Sequence, residues 1–306
     1  MTAPAEEFAR IARHFRPLAG AGALDLLDDA AVIAPPPGRE LVLAADAMVA
    51  GVHFLPDDPP DLVARKLLRC NLSDLAAMAA VPLGYLLTVS VPRSTPDAWF
   101  AAFAAGLAQD QAAFGLALLG GDTTATPGPV SLSLTILGSV APGCAVRRSG
   151  ARPGDLLFVT GRLGEGALGL RAARGEVADP DGYFADRYHL PQPRLGIARH
   201  GLVSAALDVS DGLVQDVGHL CRASGCAAEI DAALLPRLPA VPLALALAGG
   251  DDYELAMAVP PGNVAALGAA AGAVMVTRIG RFHAGPPAVT LLGAALPPGG
   301  GGWSHL

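Results

Sequence analysis

Aspartates define the chemistry open to this chain. They fall in six short segments beside expected strand or helix ends: LDDAAV with Asp28 and Asp29, AADAMVAGVHF with Asp46, NLSDLAAM with Asp74, LGGDTT with Asp122, DVSDG with Asp208 and Asp211, and AGGDDYEL with Asp251 and Asp252. One aspartate at a strand end is usually a cap or turn residue. The set carries more. Asp74 lies inside an apolar helical stretch, three residues from Asn71 on the same face. A buried carboxylate there needs a partner, and a cation is one option. Asp208 and Asp211 are three apart at a strand-to-helix turn that can aim both at one point. Short carboxylates suit Mg2+, which keeps several waters and is normally shared between a few carboxylates and substrate phosphates. The glycines before Asp122 and Asp251 let backbone approach such a ligand closely.

Other nucleotide signatures are missing from the sequence. No G-x-x-x-x-G-K-[ST] occurs, since the single lysine, Lys66, has no glycine loop before it, and neither H-R-D nor D-F-G is present. Nucleotide chemistry must therefore rest on metals and arginines. Arg147, Arg148 and Arg152 can grip phosphate bidentately, or can equally form a solvated basic linker. No histidine or serine stands out as a nucleophile, so no catalytic side chain is assigned.

The chain of 306 residues is 52% hydrophobic and 16% charged, with 37 Gly and 27 Pro. That excludes disorder, and the glycines lack the period of collagen. The formal charge of −7 argues against a nucleic-acid surface. Acidic residues are lopsided, 21 Asp to 7 Glu, as turns, caps and Mg2+ sites favour. Cys70, Cys144, Cys221 and Cys226 form no C-x-x-C pair, which speaks against zinc and for free thiols in a reducing cytoplasm. The best membrane candidate, Trp99 to Leu119, is interrupted by Gln109, Asp110 and Gln111, and the N-terminus carries acids where a signal peptide needs bases. A soluble cytoplasmic protein is expected, with no membrane partner.

Periodicity supplies the elements that position the aspartates. Leu41 to Ala45 reads as a buried strand ending at Asp46, and a helix starts at Asp61 and carries NLSDLAAM. A strand over Leu83 to Val91, a helix from Thr95-Pro96-Asp97 to about Phe114, a short strand Leu116 to Leu119 into a GGDTT loop, and an alternating strand Val130 to Leu137 complete the first half. The Gly-, Pro- and Arg-rich segment Ala141 to Asp155 is the expected junction between an N-terminal domain, 1–140, and a C-terminal domain, 141–306. The second half reads as the strand LLFVTG, a Gly-rich helix, ALDVS into the helix DGLVQDVGHLCRAS, a helix and loop in PLALALAGGDD, the strand YELAMAVP, and a closing helix and strand. The tail PPGGGGWSHL is expected to be mobile. The fold class is α/β (α+β) with two domains.

Together DDAAV, D-x-x-V-A-G-V-H-F, NLSDLAAM, GGDTT, RSGARPGD, DVSDGLVQDVGHLC, GGDDYEL and the terminal GW span Asp28 to Trp303. These motifs resemble the thiamine-monophosphate kinase family, of the superfamily that includes aminoimidazole ribonucleotide synthetase and selenophosphate synthetase. The resemblance implies ATP-dependent conversion of thiamine monophosphate to thiamine diphosphate with several Mg2+ ions. It implies an N-terminal mixed sheet with helices that pairs with a second copy into a dimeric barrel, and a C-terminal α/β sandwich-like domain. By resemblance, Asp29, Asp46, Asp74, Asp122, Asp208 and Asp211 would ligate Mg2+; Gly121, Asp122, Arg148 and Ser210 would contact ATP; His53, Asp251 and Trp303 would meet the thiamine substrate. Leu27, Ala44, Ala45 and Ala125 depart from the usual family residues, and the two alanines remove hydroxyl ligands before Asp46. The competing readings are another ATP-using enzyme of the superfamily and a regulator that binds metal and nucleotide without turnover.

Overall fold

The structure is a computed structural model that describes residues 3–297 and 301–303. The chain divides into two compact units, one of residues 1–75 and 81–142, the other of residues 76–80 and 143–306.

The first unit contains α1 (Ala3–Arg10), β1 (Glu40–Val49), α2 (Pro60–Ala77, its last residues counted with the second unit), β2 (Val81–Val91), α3 (Asp97–Phe114), β3 (Ala117–Ala125) and β4 (Ser131–Val140). Its four-stranded sheet has the order β1-β4-β2-β3, antiparallel except for the parallel β2/β3 pair. Alternation along the strands sorts side chains between two faces. Tyr85, Leu87 and Val89 of β2 and Leu132, Leu134 and Ile136 of β4 are buried. The helices cover that face: a Cβ on Gly138 would meet Leu75 of α2 at 3.0 Å. Arg69 of α2 and Asp110 of α3, both buried, join the two helices through hydrogen bonds of 2.6 and 3.0 Å. The opposite face leaves Leu41, Leu43 and Leu86 exposed.

The second unit contains β5 (Leu156–Thr160), α4 (Glu165–Ala173), α5 (Tyr183–His189), β6 (Ala205–Val209), α6 (Leu213–Ser224), β7 (Ala227–Asp231), α7 (Leu243–Ala248), β8 (Glu254–Val259), α8 (Val264–Ala271), β9 (Val276–His283) and β10 (Val289–Leu292). Its six strands run in the order β10-β7-β9-β5-β8-β6, with only β10/β7 parallel. β5, β6 and β8 are buried on both faces and read as almost unbroken apolar runs, whereas β9 carries Arg278 and Arg281 and β10 is half exposed. Leu157, Leu207, Val209 and Ala256 pack with Leu213, Val217 and Leu220 of α6 on one side. Phe158, Ala206, Leu255 and Met257 pack with Leu267 of α8 on the other.

Two sequence expectations change here. Asp46 does not end its strand, because β1 continues to pair with β4 as far as Val49 opposite Ser131. The GGDTT segment is strand rather than loop: β3 pairs in parallel with β2, and Gly121 lies so close to that strand that an added Cβ would sit 1.8 Å from the Leu87 carbonyl oxygen. Glycine composition reads as a turn, whereas here it permits strand contact. The expected mobile tail falls partly outside the described residues, at 298–300 and 304–306. Gly301 and Gly302 pack against Val214 and Gln215 of α6.

Candidate active site

In the second unit, β6 delivers Asp208 and the turn Ser210–Gly212 leads into α6. The GGDD segment crosses that turn. The N–H of Asp251 donates to the Ser210 carbonyl at 2.8 Å, and the N–H of Tyr253 to that of Val209 at 2.8 Å. Gly250, at φ +70°, approaches so closely that a Cβ would lie 2.6 Å from the Ser210 oxygen. Asp251 and Tyr253 also have positive φ, 62° and 52°, at a cost of about 1–3 kcal/mol each. Asp252 between them offsets part of it: its buried carboxylate accepts the N–H groups of Gly164 at 2.7 Å and Gly166 at 3.0 Å, at the start of α4. The Trp303 N–H donates to the Asp211 carbonyl at 2.9 Å, and the Gln215 amide donates to Asp211 Oδ2 at 3.2 Å and to the Trp303 carbonyl at 2.8 Å. Ser210, Asp211, Asp251 and Trp303, remote in sequence, are thus knit together by main-chain hydrogen bonds.

Asp216, which sequence reasoning missed, completes this region. Its buried carboxylate accepts the N–H groups of Asp211 and Gly212 at 3.1 Å each. Burial, then the charges of Asp211 and Asp208, push its pKa up to about 7. The signal was present in DGLVQD, one acidic residue further along the same helix. Among the described residues no group of three or more His, Cys, Asp or Glu is arranged to hold a metal ion. One or two carboxylates here fit an ion that takes most of its shell from phosphate and water.

In the first unit, a groove of about 780 Å3 on the open sheet face is lined by Asp28, Asp29, Thr88, Gly121, Asp122 and Ser133, among others. Strand register puts Asp122 level with Thr88 and Ser133. Asp46 pairs with Leu134 and so faces the helix-covered side, against which α2 carries Asp74. The first-unit aspartates therefore divide between two faces of one sheet. His53 follows β1; its Nδ1 accepts the Val49 N–H at 3.0 Å, which leaves the ring proton of the neutral imidazole on Nε2. Arg148 is exposed, and its carbonyl accepts the Ser224 hydroxyl at 3.2 Å.

Asp252 also sets a pH dependence. Burial, opposed by its two N–H donors, raises its pKa to about 7. A carboxyl with a raised folded-state pKa stabilises the fold fully below its unfolded value of about 4, and that contribution is lost as pH rises through about 7. Asp252→Asn loses one N–H acceptor at every pH, a constant offset. Melting temperatures taken from about pH 5 to about pH 8 should therefore fall more steeply for the wild type than for the variant. Parallel curves would mean that the carboxyl stays ionised throughout.

Comparison with known proteins gives consistent results. Residues 27–140 match the AIR synthase related protein N-terminal domain, and residues 152–291 its C-terminal domain. The chain is 47% identical over 325 aligned positions to the thiamine-monophosphate kinase of Caulobacter vibrioides, covering 99% of this chain and 92% of the relative. Among solved structures, the thiamine-monophosphate kinase of Stenotrophomonas maltophilia superposes with a TM-score of 0.82 at 36% identity, covering 95% of this chain and 96% of that one. A structure described as AaThiL complexed with AMPPCP and TMP gives 0.78 at 27% identity, covering 95% and 98%.

Proposed function

The chain belongs to the AIR synthase related family, among its thiamine-monophosphate kinases, and on that premise we propose that it converts thiamine monophosphate to thiamine diphosphate with ATP and Mg2+. The observation that carries this reading is the knot of Ser210, Asp211, Asp251 and Trp303 beside Asp208 and Asp216. It joins carboxylates suited to a phosphate-bound cation to an aspartate and an indole suited to a cationic aromatic ring.

The acceptor is a phosphate monoester with a second pKa near 6, so it is largely ionised at neutral pH and needs little help from a general base. An oxygen of that phosphate attacks the γ-phosphorus in line as the bond to the β–γ bridging oxygen breaks, giving the diphosphate and ADP with no phosphoenzyme. Mg2+, when bound, neutralises charge on the phosphates. Asp208 and Asp211 would hold it in the second unit, and Asp29, Asp46, Asp74 and Asp122 are the first-unit candidates. Gly121, Asp122, Arg148 and Ser210 would contact ATP. Asp251 would face the positive thiazolium ring, Trp303 would stack on a substrate ring for about 0.5–2 kcal/mol, and His53 would donate from Nε2 to the acceptor.

The open face of the first-unit sheet, with Leu41, Leu43 and Leu86 exposed, suits a second copy of the chain, and we place the protein in the cytoplasm as a homodimer. No described helix is long and apolar enough to cross a membrane, and all four cysteines are free thiols.

ADP release should require both thiamine monophosphate and Mg2+. Release without the acceptor, or ATP binding without turnover, would reject the reading. In the same assay His53→Ala should raise the acceptor KM about tenfold, as expected for loss of one hydrogen bond to a charged group, and leave the ATP KM unchanged. Equal loss of both would mean a disturbed fold.

A further inference from the structure

One turn beyond Gln215, roughly 6 Å along the helix axis, the outward face of α6 borders a second cavity. It has a volume of about 360 Å3, and its lining includes Gln215, His219 and Arg222 on the helix and Val289 and Leu296 opposite. That volume lies within the range of small-molecule sites, about 300–1,000 Å3. Neither His219 nor Arg222 has a part in the phosphoryl transfer described above, while Gln215, which holds Asp211 and Trp303, borders the cavity at its near end.

The charged side chain lining this cavity is Arg222. An Arg222 Nη2 lies 3.0 Å from His219 Nδ1. A guanidinium only donates, so Nδ1 accepts, and the neutral ring keeps its proton on Nε2. Burial, then Arg222, then Arg148 hold His219 below its ordinary pKa, with Asp211 opposing them. Arg148 therefore adds its field to the same surface. Among the described residues, neither Arg222 nor Arg148 is paired with a carboxylate. A guanidinium with no carboxylate partner, reinforced by the field of Arg148 and set beside an apolar wall, matches an anion that carries an organic group.

We propose that this cavity binds a diphosphate-bearing anion without a metal ion. Arg222 grips the phosphoryl oxygens with its free N–H groups, His219 donates from Nε2, and Val289 and Leu296 contact the organic part. The cavity goes beyond the phosphoryl-transfer reading and does not depend on it, since it needs no divalent cation.

The test is calorimetric titration of the full-length protein at low salt with EDTA present, using pyrophosphate, ADP and thiamine diphosphate in turn. The chelator silences any metal-dependent binding at the aspartates. At least one ligand is expected to bind, and Arg222→Ala should weaken it at least about tenfold, as loss of a charge-assisted hydrogen bond requires. His219→Gln should have a smaller effect, and neither variant should change kcat or the ATP KM. Equal affinity for all three ligands would assign the binding to the phosphoryl groups, and tighter binding of an organic diphosphate would add the apolar wall. The proposal is overturned if none of the three binds. It is also overturned if the doubly substituted protein binds as well as the wild type, or if the ATP KM rises in step with the lost affinity.

Discussion

Asp211→Asn is expected to lower kcat about a thousandfold while leaving the melting temperature unchanged or slightly raised. The substitution preserves shape, and an asparagine oxygen can still accept from the Gln215 amide that now meets Asp211 Oδ2. The main-chain bond from Trp303 to the residue 211 carbonyl is untouched. What changes is charge. If this carboxylate helps to hold the cation that joins the phosphates, its loss removes several kcal/mol of transition-state stabilisation, and about 4 kcal/mol is a factor of about a thousand. Stability should move the other way. Asp211 is among the charges that push Asp216 up to about 7, so neutralising it relieves repulsion in the metal-free protein. Such opposition between activity and stability marks a functional carboxylate. A turn or capping role predicts the reverse: near-normal kcat with lowered stability. Paired kinetic and melting measurements on the one variant separate the two.

Much of the fold was legible because its strands and helices announce themselves locally. Asp97–Phe114 begins just after Pro96 and ends at Gly115 with φ +69°, the start and stop signals that sequence supplies. The failures are tertiary. β3 was hidden inside GGDTT because glycines that look like a turn are tolerated where one strand lies close to its neighbour. The short strands β7 and β10 escaped because AAEID and VTLL interrupt their apolar residues with Glu229, Asp231 and Thr290, whereas the similarly short β5, β6 and β8 are almost unbroken apolar runs; the seven residues of α5 give too little helical period. For the site, the aspartate motifs were readable as a set. The contact of Trp303 with Asp211 was not, since nothing in PPGGGGWSHL encodes a hydrogen bond to a turn some ninety residues earlier. Nor does alternation in β1 say which face Asp46 serves until its pairing with Leu134 is known.

Glu254→Ala should cost the second unit about 3–5 kcal/mol, the usual penalty for breaking one side of a buried ion pair. Glu254 is 0% exposed. Its carboxylate accepts from Arg194 Nε at 2.6 Å, from Arg187 Nη2 at 3.1 Å and from the Thr160 hydroxyl at 2.6 Å. Arg187 in turn donates to Glu165 at 3.0 Å. Although burial lowers its pKa, Glu254 and Glu165 hold it raised. Alanine at 254 would leave the largely buried Arg194 guanidinium without its carboxylate and Arg187 with Glu165 alone. For a unit of this size each kcal/mol shifts the midpoint by about 2–4 °C, so a fall of about 10 °C is expected. Glu254→Gln keeps an acceptor and removes the charge, and should fall between the two. Replacing Arg194 as well should recover part of the loss, because the penalty lies mainly in the stranded charge. Glu254 also stands two residues beyond Asp252, whose carboxylate fixes the backbone around Asp251. The alanine variant should therefore raise the acceptor KM even at temperatures where it is fully folded. A shift of only a degree or two, with no recovery in the double variant, would mean that water already screens the cluster and that the GGDD segment is held by its main-chain bonds alone.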